Sequence, residues 1–95
     1  MTAIRIYIVR CADDSFYVGS TRTSLDQRIA QHNDGTFGGY TSGRRPVQLV
    51  FSESFERIED GLAIERRIKG WTRAKKEALI AGNLEALKKL AKKRF

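Results

Sequence analysis

Cysteine, histidine, tryptophan and proline each occur only once in the 95 residues, and no long apolar run is present. The single cysteine, Cys11, rules out an internal disulfide and therefore the cross-linked framework of small secreted proteins. We expect it to be a buried thiol without a metal or redox role. The first apolar run, residues 4–9, is interrupted by Arg5 and is not followed by a signal-peptidase-like cleavage sequence. No apolar segment approaches the length of a membrane span. These absences predict a protein of the reducing cytoplasm.

Acidic residues are scarce in the C-terminal third, where residues 66–95 hold 11 basic side chains against two acidic ones. Residues 1–65 hold seven basic and nine acidic side chains, so the net charge of +7 is concentrated at one end. This distribution suits a polyanion, because each neutralised phosphate releases counterions. We expect a nucleic acid partner, DNA more than RNA, and a nucleoid-associated location. A lysine-rich helix end kept for solubility, or one that docks on an acidic protein, would give the same composition.

Hydrophobic patterning predicts a single α+β domain over residues 1–95, with its core at about 4–80. Alternation predicts strands over 4–11, 16–19 and 47–54, with Val47, Leu49 and Phe51 on one face of the third. Helical periodicity and capping signals predict helices over about 24–33, 57–70 and 72–81, followed by a basic C-terminal helix over 83–95. The predicted fold is a small three-stranded antiparallel sheet flanked by helices, in the order β-β-α-β-α-α-α.

The pairing of the first two strands decides where two tyrosines point. With a two-residue loop at 13–14, Tyr17 would lie opposite Arg10 and face away from Tyr7. With a three-residue loop and a bulge, Tyr17 would lie opposite Cys11 and share the face of Tyr7. Both registers are compatible with the sequence, and only the second brings the two phenols together.

A carboxylate interrupts the apolar stripe of the second predicted helix. At roughly 100° per residue, Ile58 lies about 20° from Glu65, while Leu62 and Ile68 lie about 60° to either side. Glu65 should therefore lie near the centre of the stripe, with a cation, a metal or a strong donor beside it, because a buried unpaired carboxylate is costly. The structural alternative to a metal site is a salt bridge to Arg28 or another arginine.

The first predicted helix carries two more candidates, His32 and Arg28. Relative to Leu25, His32 lies about 20° and Arg28 about 60° to one side, which places His32 on the core-facing stripe and Arg28 at its edge. Taken singly, each is commoner as a structural residue than as a catalyst. Together with two tyrosines and an inward glutamate, they suit phosphodiester cleavage. A guanidinium would hold the phosphate, Tyr or His would act as base, and the carboxylate would anchor one Mg²⁺.

The order and approximate spacing of these residues resemble the GIY-YIG endonuclease domain. The resemblance spans about residues 4–80, and although each triplet is weak alone, the ordered set is specific. Further segments are similar to small standalone bacterial members of the family, the YhbQ-like predicted endonucleases. The matching features are Arg5–Tyr7, Tyr17–Gly19, the Arg28-x-x-x-His32 spacing, Gln31–Asn33, Tyr40–Val47, Glu65 and Ile68–Arg73.

The resemblance implies a metal-dependent endonuclease that leaves a 5′-phosphate and a 3′-hydroxyl. Tyr7 and Tyr17 would form the active-site pair, one of them serving as general base or water-positioning group. Arg28 would bind the scissile phosphate, and His32 would hydrogen-bond a tyrosine or assist proton transfer. Glu65 would hold a single Mg²⁺ or Mn²⁺ ion.

The resemblance also implies where substrate would lie. Gly19 would let the substrate backbone approach the second strand closely. Arg5 and Val18 replace the first glycine of GIY and the isoleucine of YIG without removing a reacting group. Many relatives carry a lysine just after the second triplet, and Arg22 is the nearest substitute here. The other side chains expected to contact nucleic acid are Tyr40, Thr41, Arg44, Arg45, Lys69 and Arg73.

The leading hypothesis is a DNA endonuclease that selects structure rather than sequence and serves DNA repair, recombination or nucleic-acid maintenance. We expect it to act as a monomer or a weak homodimer. The alternative is a non-catalytic nucleic-acid-binding module that keeps the fold and the basic face. Glu65→Ala separates the two, since a nuclease should lose cleavage but retain binding.

Overall fold

The computed structural model describes residues 1–36 and 38–83, and within these ranges it confirms the predicted α+β fold with a three-stranded antiparallel sheet. Residues 84–95 of the predicted last helix lie outside the described residues. The elements are, in chain order, β1 (Ile4–Arg10), β2 (Phe16–Thr21), α1 (Leu25–Asp34), a 3₁₀ turn (Gly39–Thr41), β3 (Gln48–Phe55), α2 (Ile58–Lys69) and α3 (Arg73–Ala81).

β1 is the central strand of the sheet, which has the order β2-β1-β3 with both pairs antiparallel. Helices cover both faces of β1, so its alternating side chains are buried on both sides. Ile6 and Ile8 pack toward α2 and α3, whereas Tyr7 and Val9 pack toward α1. These four side chains are at most 1% exposed, which makes β1 the strand shared by two hydrophobic clusters.

A β-bulge in β3 breaks its predicted alternation. The register against β1 shifts between Leu49 and Phe51 and leaves Val50 as an extra residue. The extra residue reverses the alternation, so residues two or four positions apart across the bulge lie on different faces of the sheet. Val47 packs in the cluster under α1, whereas Phe51 packs with the cluster under α2. The prediction that Val47, Leu49 and Phe51 share one face is therefore wrong.

The inward face of α2 is centred on a glycine. A Cβ at Gly61 would collide with Ile4 Cγ2, so the helix lies closest to the sheet at this point. Ile68 is buried on the same face, whereas Leu62 is 37% exposed. The apolar face is rotated away from Leu62, and Glu65 lies at its edge rather than near its centre as predicted.

Local capping sets the helix ends. The Ser24 hydroxyl accepts a hydrogen bond from the Gln27 backbone N–H at the start of α1, as the capping box predicts. The Thr72 hydroxyl caps α3 in the same way. Gly35 ends α1 with a φ of 83°, a left-handed conformation that favours glycine. No helix in the described part of the chain is long and apolar enough to cross a membrane.

The β1–β2 turn closes between Cys11 and Ser15. The Cys11 N–H donates to the Ser15 carbonyl at 2.8 Å, and the Asp14 N–H donates to the Cys11 carbonyl at 2.9 Å. Asp14 adopts a φ of 69°, the left-handed residue of a three-residue loop with a bulge. Cys11 is a buried free thiol, as expected, and burial raises its pKa.

Candidate active site

Strand pairing places the two tyrosines on one face of the sheet. Tyr7 lies opposite Gly19, and Tyr17 lies opposite Val9. Residues directly opposite in an antiparallel pair project to the same side, so both phenols lie on the face that α1 covers. Neither predicted register is right, because Tyr17 lies opposite Val9 rather than opposite Arg10 or Cys11. Tyr17 nevertheless shares the face of Tyr7, as the register with Cys11 predicts.

Gly19 provides the space that the Tyr7 ring occupies. A Cβ at Gly19 would lie 2.6 Å from the Tyr7 hydroxyl oxygen, 2.7 Å from Tyr7 Cζ and 3.0 Å from Tyr17 Cε2. Only glycine leaves room for a phenol so close to the β2 backbone. The family resemblance implies a close approach of substrate backbone at this residue, but on this face the two tyrosines already fill that space.

His32 joins Tyr7 to the loop that follows α1. Its Nε2 atom lies 2.8 Å from the Tyr7 hydroxyl oxygen, and its Nδ1 atom lies 2.9 Å from Thr41 Oγ1. The edge of its ring also packs on Tyr17, with 5.5 Å between ring centroids. His32 is 3% exposed, and burial, followed by the charge of Arg28, lowers its pKa. The ring is therefore neutral near pH 7 and lies on the core side of α1, as the helical pattern predicts.

Arg28 and Glu65 complete the electrostatic environment of Tyr7. Burial raises the pKa of Tyr7 to about 12, and the neighbouring Tyr17 adds to the shift. Arg28 opposes it through its charge and through a side-chain hydrogen bond to Tyr7, whereas Glu65 raises it further. Tyr7, Tyr17, His32 and Arg28 thus lie together, from β1, β2 and α1. Glu65, on α2, is near enough to act on Tyr7 through its charge.

Glu65 forms an ion pair with Lys69, one turn further along α2. Glu65 Oε2 lies 3.3 Å from Lys69 Nζ, and the two side chains are 13% and 54% exposed. The salt-bridge partner of Glu65 is therefore a lysine, whereas the structural alternative predicts an arginine. The Glu65 carboxylate is thus largely buried but retains some exposure to solvent. Lys69, predicted to contact phosphate, lies directly beside this position.

The loop after α1 packs beside Tyr17 through Tyr40. Tyr40 stacks on Tyr17, with 6.0 Å between ring centroids and 25° between ring planes, and is 42% exposed. The Arg44 guanidinium lies 4.1 Å from the Tyr40 ring centroid. Arg44 also donates to Asp13 Oδ2 at 2.9 Å and to the Tyr40 carbonyl at 2.8 Å. Arg44 therefore fixes this loop to the β1–β2 turn, while Tyr40 presents an aromatic surface next to the candidate site.

Three other arginines predicted to contact nucleic acid lie in different parts of the structure. Arg73 donates to the carbonyl and the carboxylate of Asp14 and lies 4.3 Å from the Phe16 ring centroid, so it braces the hairpin turn. Arg45 donates to two backbone carbonyls at 2.9 and 3.3 Å. Arg22 is exposed in the segment after β2. All three side chains are exposed.

The donor set fits a weakly held, hydrated divalent cation. Among the described residues, no group of three His, Cys, Asp or Glu side chains could hold a metal ion. Glu65 supplies a single carboxylate at the edge of the site. Mg²⁺ commonly binds proteins through one or two carboxylates and keeps several waters, so this arrangement is compatible with Mg²⁺ and with the closely similar Mn²⁺.

The structure gives two residues roles that the sequence does not predict. Thr41 is predicted to contact nucleic acid, whereas the structure buries it against His32 at 2% exposure. No role is predicted for Gly61, which lets α2 approach β1 closely. A small residue among apolar neighbours in a helix signals close packing, but no local pattern could have paired Thr41 with His32.

Comparisons with known proteins point to one family of relatives. The family model of the GIY-YIG catalytic domain matches residues 4–78. A UPF0213 protein of Haloquadratum walsbyi is 46% identical over 74 residues, covering 78% of this chain and 82% of its own length. UPF0213 protein YazA of Bacillus subtilis is 45% identical over 74 residues, covering 78% and 74%. The solution NMR structure of a UPF0213 protein from Bacillus halodurans is 38% identical, with a TM-score of 0.56 over 84% of each chain.

Proposed function

The chain belongs to the GIY-YIG family, a nuclease family, and from that membership and the site geometry we propose that it is a metal-dependent DNA endonuclease. The observation that carries the proposal is the grouping of Tyr17, His32 and Arg28 around the Tyr7 phenol, with the charge of Glu65 acting on the same phenol. Each group has a use in phosphodiester hydrolysis, and four separate elements contribute them. The family points to nucleic acid as the partner, and the choice of DNA over RNA is part of the proposal.

The chemical step would be attack of a water oxygen on phosphorus with loss of the 3′ oxygen. One proton of the water ends on that oxygen, which gives a 5′-phosphate and a 3′-hydroxyl. Arg28 would hold the phosphate oxygens and stabilise the added negative charge. Glu65 would hold Mg²⁺ or Mn²⁺, which when bound would stabilise the leaving alkoxide as a Lewis acid.

Exposure separates the roles of the two tyrosines. Tyr7 is 1% exposed and hydrogen-bonded to His32, whereas Tyr17 is partly exposed. We therefore assign contact with the attacking water to Tyr17. Tyr7 and His32 would support the site from the interior, with Tyr7 bonded to the guanidinium of Arg28.

Selection of DNA structure rather than sequence is part of the proposal. Arg44 and Arg73 are paired with carboxylates of the hairpin turn, so these two guanidinium groups are less available for reading base edges. Tyr40 is an exposed aromatic surface beside Tyr17 and could stack on an unpaired base. Branched or single-stranded DNA would present such a base, which fits a role in repair or recombination.

Cleavage of labelled single-stranded, duplex and branched DNA with Mg²⁺ or Mn²⁺ tests this function. Glu65→Gln, which removes the charge that would hold the metal, and Arg28→Lys, which loses the bidentate guanidinium, should each reduce the rate by about 10²–10³-fold. Glu53→Gln is the matched control, since Glu53 is an exposed carboxylate on β3, the opposite edge of the sheet from Tyr17.

Two outcomes would contradict the nuclease proposal. Cleavage that survives both site substitutions would show that the reaction occurs elsewhere or comes from a contaminant. An inert wild-type protein that binds DNA with a steep salt dependence would support the non-catalytic binding module instead.

A further inference from the structure

Thr41 belongs to the interior of the protein rather than to its nucleic-acid surface. It is 2% exposed, and its hydroxyl lies 2.9 Å from His32 Nδ1. On the other side of the ring, His32 Nε2 lies 2.8 Å from the Tyr7 hydroxyl. Both nitrogens of the imidazole are thus engaged within the fold, and Thr41 is placed to control the ring.

Counting donors gives the direction of these bonds. The guanidinium of Arg28 places a positive charge and only hydrogen-bond donors beside Tyr7, so it is the Tyr7 oxygen, not its O–H, that faces Arg28. The Tyr7 O–H then needs an acceptor, and His32 Nε2 is the ring nitrogen beside it. If Nε2 accepts, a neutral imidazole carries its proton on Nδ1 and donates it to Thr41 Oγ1.

The surroundings of His32 support a neutral ring in this arrangement. Tyr7 faces it from β1, Tyr17 from β2, Arg28 from its own helix and Thr41 from the loop after α1. The one permanent charge among these groups is that of Arg28, which disfavours a second positive charge on His32. Burial acts in the same direction on the pKa of His32.

We propose that Thr41 is a positioning residue that holds His32 in its Nδ1–H tautomer and so directs a buried hydrogen-bond chain from Thr41 through His32 to Tyr7, beside Arg28. Without the Thr41 oxygen, the imidazole proton would favour Nε2. An Nε2–H would compete with Arg28 for the Tyr7 oxygen and would leave the Tyr7 O–H without its acceptor. The guanidinium assigned to phosphate would then lose a fixed partner. The catalytic consequence rests on the proposed function, whereas the tautomer is a property of the fold.

The chain contains one histidine, so long-range ¹H–¹⁵N NMR spectra of the full-length protein report on His32 without ambiguity. In the wild-type protein we expect a protonated Nδ1 and an unprotonated Nε2. Thr41→Val, which replaces the hydroxyl by a methyl group, should shift the ring toward Nε2–H. Thr41→Ser, which keeps the hydroxyl, should restore the wild-type tautomer.

Cleavage provides a second measurement on the same variants. Thr41→Val should reduce the rate by about tenfold, at the lower end of what loss of an outer hydrogen-bond partner costs, and Thr41→Ser should recover most of it. A wild-type spectrum with the proton on Nε2 would overturn the proposal, as would an unchanged tautomer in Thr41→Val. If the Val variant does not fold, the wild-type spectrum alone decides. Failure of the nuclease proposal would appear as absent cleavage with the tautomer result intact.

Discussion

Replacement of Gly19 by alanine should disturb both tyrosines without straining the backbone. The added Cβ would lie 2.6 Å from the Tyr7 hydroxyl oxygen and 3.0 Å from Tyr17 Cε2, well inside van der Waals contact. Gly19 is outside the left-handed region, so the effect is steric. Tyr7 cannot simply swing away, because it is 1% exposed and bonded to His32 at 2.8 Å.

The cost of Gly19→Ala follows from two contributions. Overpacking of a well-filled interior costs about 1–3 kcal/mol. Displacing the Tyr7 phenol by a few tenths of an ångström would also weaken its buried hydrogen bond to His32, which contributes about 1 kcal/mol. A total near 2 kcal/mol would lower the melting temperature of a domain of this size by roughly 10 °C. Cleavage should fall as well, since both tyrosines move.

Thermal unfolding of Gly19→Ala beside the wild-type protein measures this effect. Gly43→Ala is the matched control, because Gly43 is exposed and a Cβ there has no neighbour within 4 Å. The control should remain within about 1 kcal/mol of wild type. A Gly19→Ala protein with the wild-type melting temperature and an unchanged His32 spectrum would refute the close packing of Tyr7 on Gly19.

Three further predictions concern α2 and the titration of Tyr7. Gly61→Ala should destabilise the protein by about 1–2 kcal/mol in urea unfolding, because the new Cβ collides with the sheet. This loss should outweigh the higher helix propensity of alanine. The control is Gly70→Ala, which should be neutral or slightly stabilising because Gly70 has a right-handed φ of −85°. Equal effects of the two substitutions would contradict the close approach of α2. Lys69→Met should increase Mn²⁺ affinity about two- to fivefold in calorimetric titration, since it frees Glu65 from its ion pair, and weaker binding would argue against Glu65 as the metal ligand. Because burial raises the pKa of Tyr7 from 10.0 to about 12, the unfolded state loses its proton first, and about 2–3 kcal/mol of stability present below pH 10 should be lost as pH rises toward 12. Tyr7→Phe should lack this part of the decline when urea midpoints are compared across that range, and an identical decline in both proteins would show that Tyr7 does not cause it.

The buried chain and the exposed groups divide the candidate site into two layers. Thr41, His32 and Tyr7 are at most 3% exposed and can act only through what they hold in place. Tyr17 and Glu65 retain access to solvent and to a substrate. Substitutions in the interior layer should therefore change stability and activity together, whereas substitutions in the exposed layer should change activity with little loss of stability.

Features that depend on neighbouring residues could be predicted from the sequence. The alternation of β1, the Ser24 cap of α1 and the order of the catalytic set each depend on residues within a few positions of one another or on a family pattern. Sequence also placed His32 on the inner face of its helix, because helical periodicity is local. The fold class followed from the succession of these elements.

Contacts between distant segments were decided only by the tertiary structure. The bulge at Val50, the register that sets Tyr17 opposite Val9 and the pairing of Thr41 with His32 have no local signature. Tyr7 and His32 are 25 positions apart, and their hydrogen bond exists because α1 packs on the central strand. Sequence therefore determined which elements form and which chemical groups they carry. Packing of helices on a two-sided sheet decided which groups are buried, which are exposed and which partners they meet, because those energies depend on residues far apart in the chain.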